Sequence, residues 1–550
     1  MRYRKIVAAS LLVAMAALGL SVATARAEGN VHKVNHVIII MQENHSFDNY
    51  LGALPYAPGS PYHAGACKKR DHSCVDGLTC TFDVSGNLNC SNSNLDNDGS
   101  TVTSFHDSNY CPGPDLQHDW QGSHGEANFL SPADALLSTL NDGFVLVNDL
   151  TEQIDTTESP TGDDTMGFYT QDDLPFYYQL AQTFAIDDRY FCSVVGPTFP
   201  NRSYEMAATS FGHVTTNEVF PPGVNPANPF LINNSDGYQP VTGSIFDLLD
   251  AAGVTWLNYA EDLPTSATFR GNHLAFLAAH VRQLFNNVLI ESYNPTANNF
   301  FTDAAHGTLP QVSFIDPSFL PSELLTPSGP AFIGASGGFE TDEHPPFDIQ
   351  AGEFVTSQII SAVRNGPNWK DSVIFLTYDE HGGFYDHVAP PAAAQRRALN
   401  PDGIDPGLCE DLSNPPASLL PGGGAECEFS ESDVAAICAT FTDETAPYPA
   451  ACANFNQLGF RVPFIVISPF AKPHYVSHTV GDHTSMLAFI EQRFLPKGSH
   501  LTLRDKNANR LQDMFDFNHS PSLNAVILPS APAPVPGEHN CPFVSGGPHG

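Results

Sequence analysis

Uninterrupted apolar runs closed at once by acids or amides recur along this chain. Val37-Ile38-Ile39-Ile40 leads into Glu43-Asn44, and Val373-Ile374-Phe375-Leu376 leads into Asp379-Glu380. A short continuous apolar run suits a strand buried on both faces of a parallel sheet. Further runs predict strands over Phe184–Asp187, Val254–Tyr259, Gln311–Ile315 and Phe464–Ile467. Between them, apolar residues at helical spacing predict helices over Ser244–Ala252, His273–Phe285, Phe354–Arg364 and Ser485–Phe494, with another beginning near Tyr204. The alternation predicts one large α/β domain, a mostly parallel central sheet flanked by helices. In such sheets ligands bind beyond the carboxyl ends of the strands.

Two stretches break the pattern. Residues 57–111 are rich in Gly, Ser, Asn, Asp and Cys, and 390–460 in Pro, Ala, Gly and Cys. They read as loop insertions in a catalytic domain over 28–528, followed by a tail over 529–550 with a Pro/Ala run. The first 27 residues carry Arg2, Arg4 and Lys5, an apolar stretch, and Ala25-Arg26-Ala27, the pattern of a secretory signal peptide. A retained anchor is the weaker reading, because polar and Gly residues dilute a stretch already short for a span. A secreted protein is expected, with the periplasm as alternative compartment. Cys67, Cys74, Cys80, Cys90 and Cys111 cluster, as do Cys409, Cys427, Cys438 and Cys452, with Cys192 and Cys541 apart. After export these read as disulfide staples, and Cys192, in an apolar context, as the free buried thiol.

Removing the four basic residues of the leader takes the formal charge from −37 to −41. So acidic a surface argues against nucleic acid as a partner and against electrostatic docking on anionic membranes.

Three carboxylates and an amide gathered at strand ends would repel one another unless a cation sat among them. Glu43, Asn44, Asp379 and Glu380 are thus the expected ligands of a divalent metal in a hydrolase. Hydrolysis of a phosphoester also needs a nucleophile, charge on the phosphoryl oxygens and a proton donor. Thr198, in Gly196-Pro197-Thr198-Phe199-Pro200-Asn201-Arg202, is the candidate hydroxyl, with Ser193 and Ser203 as fallbacks; the same turn would equally suit a capping threonine. His118 and His344, the latter fixed by Pro345-Pro346, are the candidate donors. Asp342 beside His344 and the pair Asp482-His483 before a helix are weaker candidates, Asp482 reading equally as an N-cap.

With these residues in place the chain resembles the phosphoesterase family of secreted bacterial phospholipases C and a related acid phosphatase, within the alkaline phosphatase superfamily. The resemblance rests on Met41–Gly52, His118-Asp119-Trp120, Gly196–Arg202, Asp342–Pro346, Tyr378–Gly383, Gly459–Ser468 and Asp482–Ser485, in that order. It implies an alkaline-phosphatase-like fold and one metal ion held by Glu43, Asn44, Asp379 and Glu380, with Thr198 touching it. It also implies phosphoryl binding by Asn44, His118 and His344. Zinc and calcium are the leading metals, with manganese and iron also compatible with hard oxygen ligands. A further Asp-His pair of the acid phosphatase has only weak counterparts here, Glu261-Asp262 and His273. The leading function is a phospholipase C acting through a phospho-threonine on phosphatidylcholine-type lipids, with transient membrane-surface contact. A broad acid phosphatase on small phosphoesters is the close alternative. A non-catalytic secreted protein, binding calcium through acidic loops such as Asp96–Asp98 and Asp163-Asp164, is the alternative from another class.

Overall fold

The computed structural model describes residues 30–96, 98–112, 115–128, 141–152, 163–216, 236–285, 298–319, 340–393, 402–403, 436–437, 452, 455–523, 526–533 and 541. The leader and most of 390–460 lie outside them. Eight strands form the central sheet: β1 (His36–Gln42), β2 (Ala185–Asp187), β3 (Trp256–Ala260), β4 (Val281–Gln283), β5 (Val312–Asp316), β6 (Ser372–Tyr378), β7 (Phe464–Ile467) and β8 (Tyr475–Ser477). Their order is β4-β3-β5-β1-β6-β7-β2-β8. Only β7 runs antiparallel to its neighbours; every other pairing is parallel.

The apolar runs form the middle of this sheet because both faces are covered: Val37 to Met41 and all of β6 are buried. The predicted strands and the mostly parallel architecture are present. Two elements differ. The predicted helix His273–Phe285 is a helix over Leu274–His280 that passes directly into edge strand β4. The β-branched Val281 joins the strand by pairing with Asn258. The helix expected near Tyr204 starts earlier, as α4 (Thr198–Ala207). Pro200 does not prevent this, since first-turn N–H groups have no intrahelical acceptor.

The other helices around the site are α1 (Phe47–Leu51), α2 (Trp120–Glu126), α3 (Pro175–Thr183), α5 (Ile245–Ala252), α6 (Ile349–Asn365), α7 (His483–Phe494) and α8 (Leu503–Asn507). Residues 63–106 form short two-stranded pieces stapled by Cys67–Cys74 and Cys80–Cys90. Cys541, which stands apart in sequence, pairs with Cys111 and ties the tail back to this lobe. Cys192 is free and buried. No described helix is long and apolar enough to cross a membrane.

Helix α6 carries a titratable joint. Glu353 Oε1 accepts from the N–H groups of Phe176 and Tyr177 at 2.8 and 3.0 Å, in the first turn of α3, while Oε2 is buried without a partner. Burial pushes this carboxyl up to about 8 from 4.5. A group raised on folding contributes stability that is complete below its unfolded pKa and is lost as pH rises through its folded one. Wild-type melting temperature is therefore expected to fall between about pH 5 and 8, and Glu353→Gln to flatten that fall. An unchanged slope in the variant would assign the pH dependence to other carboxyls.

Candidate active site

Sheet register brings the two acid pairs together. Gln42, last in β1, faces Tyr378, last in β6, so Glu43-Asn44 and Asp379-Glu380 leave the sheet side by side. The Asn44 N–H donates to Asp379 Oδ1 at 3.1 Å, and the Glu380 N–H donates to the same oxygen at 2.7 Å. Asn44 has φ +65, a left-handed conformation that asparagine tolerates better than most residues. Gly382 and Gly383 also have positive φ. A Cβ on Gly382 would sit 2.1 Å from the Asn44 carbonyl oxygen, and one on Gly383 2.5 Å from Leu116. These glycines let the Glu380 loop close onto Asn44 on one side and onto the His118 segment on the other.

The candidate ligand residues each bond some of their oxygens to the protein and leave others without a partner. Asp379 Oδ1 is bonded and Oδ2 has no hydrogen-bond partner; Glu380 Oε2 accepts from the Gly382 N–H at 2.7 Å and Oε1 has none; Asn44 Oδ1 also has none. Burial, then the nearby Glu43 charge, pushes the Asp379 carboxyl up to about 8. Buried oxygens left unpaired are costly, and a divalent cation is a partner that such oxygens accept. The residues present thus fit a metal ion. Glu43 Oε1 is already engaged, by Arg202 at 3.0 Å. Arg202 stands between Glu43 and Asp379, with Nε 3.5 Å from Asp379 Oδ2. Among the described residues, Glu43, Asp379 and Glu380 do not form a group with ligand atoms all within 4.8 Å, whereas Asp115, His118 and His344 do.

Thr198 is the first residue of α4 and the only residue from Tyr190 to Ser210 that is not buried. It does not cap the helix; Pro197 is the N-cap. Arg202, one turn on and on the same side of the helix, links α4 to both acid pairs. The turn before Thr198 packs on the His118 segment, because a Cβ on Gly196 would lie 3.2 Å from the Trp120 ring. Ser203 is spent on the Phe199 carbonyl and Ser193 on Asp482, so neither fallback hydroxyl is free.

The two histidines meet edge to face with centroids 5.7 Å apart. His118 Nδ1 donates to the Leu116 carbonyl at 2.7 Å, which turns Nε2 toward Asn44 Nδ2, 3.4 Å away, and Glu380 Oε1, 3.9 Å away. Burial alone would lower its pKa, but Glu380 and Asp115 outweigh that and raise it. His344 Nδ1 faces the Pro345 carbonyl at 2.5 Å. Burial opposes its charge too, yet Asp115, Glu43 and Asp342 hold it up at about 9. Asp342 accepts the His344 N–H on Oδ1 at 3.1 Å and, through its carbonyl, the Glu43 N–H at 2.8 Å. It joins the His344 turn to the ligand loop.

The remaining candidates separate. His483 Nε2 lies 2.6 Å from the Asp379 carbonyl and supports that ligand from behind. Asp482 caps α7 and pairs with buried Arg504 at 3.1 Å. Asp262 accepts from Ser318 Oγ at 2.9 Å, while His273 pairs with Asp236 in an exposed position; the two do not meet as a pair.

Several contributors escaped the sequence reading. Glu126 bonds His381 Nε2 at 2.6 Å while His381 Nδ1 lies 3.1 Å from Glu380. Glu343, with φ +75, is a buried carboxylate that accepts from Gln42, Tyr50, Tyr177 and Tyr378. Asp115 has a buried Oδ1 without a hydrogen bond, 3.6 Å from His118 Nδ1. The Glu343 turn carried a signal, inside the Asp342–Pro346 motif, and so did His381, inside Tyr378–Gly383.

Residues 34–495 match the pattern of the phosphoesterase family. The chain is 29% identical over 539 residues to phospholipase C B of Mycobacterium tuberculosis, covering 92% of this chain and 84% of that protein. It is 28% identical over 508 residues to the non-hemolytic phospholipase C of Burkholderia pseudomallei, covering 86% and 57%, and 26% identical over 499 residues to non-specific phospholipase C4 of Arabidopsis thaliana, covering 89% and 73%. Among solved structures, human ectonucleotide pyrophosphatase/phosphodiesterase 5 aligns over 62% of this chain and 94% of its own at 11% identity, with a TM-score of 0.32.

Proposed function

The chain belongs to the phosphoesterase family and is a phosphoric ester hydrolase; within that class we propose a secreted, metal-dependent phospholipase C that acts through Thr198 on phosphatidylcholine-type lipids. With this the non-catalytic binding reading falls away. The observation that carries the metal dependence is the set of spare buried oxygens on Asn44, Asp379 and Glu380, at strand ends beside the helix that begins with Thr198. The phospholipid substrate is favoured over a small phosphomonoester because relatives from two bacteria and a plant are named phospholipase C. The disulfides of the stapled lobe suit export to an oxidising compartment.

Glu43, Asn44, Asp379, Glu380 and Thr198 would hold one divalent ion, which would supply positive charge to lower the Thr198 hydroxyl pKa and to neutralise phosphoryl oxygens. Thr198, deprotonated to solvent, attacks phosphorus. Its Oγ–P bond forms as the bond to the diacylglycerol oxygen breaks. His118 and the Asn44 amide bind the phosphoryl oxygens, and the His344 imidazolium gives its proton to the departing oxygen. Water then attacks the phospho-threonine, the Oγ–P bond breaks, and the phosphorylated headgroup leaves.

His344→Gln should slow cleavage of alkyl esters by about 10²–10⁴-fold and a nitrophenyl ester far less, because nitrophenolate needs no proton to depart. The alkaline fall in wild-type activity, centred where His344 loses its proton near 9, should vanish in the variant. Equal losses on both substrates would remove His344 from the acid role.

Release of phosphocholine from phosphatidylcholine vesicles, beside hydrolysis of a soluble aryl phosphate and a chelated sample, tests the whole reading. Lipid cleavage abolished by chelation is expected. Aryl phosphatase activity alone would make the protein an acid phosphatase, and chelator-resistant cleavage would remove the metal.

A further inference from the structure

Arg202 has no role in the steps above, yet it is the charged group placed most intimately among the ligands. It is buried, and its Nε and Nη2 both lie 3.0 Å from Glu43 Oε1. Nη2 also donates to the carbonyls of Met41 and Gln42, the last residues of β1, at 3.2 and 3.4 Å. Nε is 3.5 Å from the spare oxygen of Asp379, and the guanidinium lies over the Phe319 ring at 4.8 Å. Burial opposes its charge, but Glu43, Asp379, Glu205 and Asp316 outweigh that. A guanidinium so enclosed stays protonated at any working pH and presents its donors in a fixed plane.

We propose that Arg202 is the built-in cation of the centre: a positioning residue that orients the Glu43 and Asp379 carboxylates and limits the site to one divalent ion. This rests on the reading that a divalent ion binds at Asn44, Asp379 and Glu380. With a divalent ion bound, Glu43, Asp379 and Glu380 would all be ionised and carry three negative charges, of which Arg202 cancels one and the ion the other two. The guanidinium also fills the space between Glu43 and Asp379 where another ion would need to sit, and it takes the Glu43 oxygen such an ion would use. Because Arg202 lies one turn after Thr198, the same contact fixes the nucleophile helix to the ligand loops.

The test counts metal on the mature, folded protein, stripped and then dialysed against Mn²⁺ alone, with Asp379→Asn as the measure of ions bound elsewhere on an acidic surface. Wild type is expected to hold one site ion and Arg202→Gln two. Arg202→Lys keeps the charge but loses the planar fork, so it should hold one ion about tenfold more weakly. A folded Gln variant holding one ion or none overturns the proposal. If that variant does not fold, a Lys variant with wild-type affinity overturns it by itself. Equal counts in wild type and Asp379→Asn would instead sink the metal reading, and this proposal with it.

Discussion

Thr198→Ala should fold normally and lose at least about 10³-fold in turnover of phosphoesters. Under the proposed mechanism Thr198 is better placed for this task than any other hydroxyl in the segment. Ser193 and Ser203 are spent on internal hydrogen bonds, and Thr198 alone between Tyr190 and Ser210 is open to a ligand. Thr198→Ser, which keeps the oxygen, should retain activity within about tenfold. Wild type acid-quenched during turnover of phosphatidylcholine should carry phosphocholine on Thr198, visible as a modified peptide by mass spectrometry, and the Ala variant none. An Ala variant with a tenth or more of wild-type turnover would show that water attacks the substrate directly.

The core of the sheet and the first ring of the site were legible because each had a local signature. Val37–Ile40 and Val373–Leu376 are apolar without interruption, and such runs have few alternatives to a doubly covered strand. The acids that follow inherit their placement from strand pairing: with Gln42 opposite Tyr378, Glu43 and Asp379 must emerge together. Edge strands β4 and β8 were not legible, because Val281–Gln283 continues the helical apolar pattern before it and Tyr475–Ser477 carries no apolar run. The Cys111–Cys541 link was hidden for a different reason, since nothing local to Cys541 encodes a partner 430 residues away. Groups that act through others were the hardest to find. Glu126, Asp115 and Tyr177 belong to no strand-end pattern, and their roles come from contacts that only the folded chain creates. Asp482 illustrates the converse. A capping acid and a catalytic acid look alike in sequence, whereas in the fold Asp482 is seen to cap α7 and to pair with buried Arg504.

The largest loss of stability is expected at Arg461, which lies outside the reacting groups and holds their supports together. Its side chain is fully buried; Nε reaches Asp386 Oδ1 at 2.9 Å and Nη2 reaches Asp48 Oδ1 at 3.0 Å. Nη1 donates to the carbonyls of Asp76 and Asp188 at 2.6 and 3.1 Å, and the guanidinium stacks on Phe47 at 4.5 Å. Asp48 and Phe47 continue the Glu43-Asn44 loop into α1, Asp386 continues the Asp379-Glu380 loop, and Asp76 belongs to the stapled lobe. One cation therefore ties both ligand loops and the lobe to strand β7, three residues ahead of which it sits. Removing one partner of a buried ion pair leaves the other charges uncompensated, at a cost of about 3–5 kcal/mol. Arg461→Met preserves much of the volume over Phe47, so its destabilisation in urea denaturation measures the lost charge rather than a cavity. If so, adding Asp48→Asn and Asp386→Asn to Arg461→Met should recover most of the loss, because neutral groups no longer need the guanidinium. A triple variant as unstable as the single one would mean that Arg461 acts through its carbonyl bonds and packing. Metal affinity should follow stability in this series, since Arg461, together with His387 at 2.6 Å from Asp48, anchors both loops on the α1 side, and Arg461 thus helps hold the geometry in which Arg202 and the proposed metal would divide the carboxylates between them.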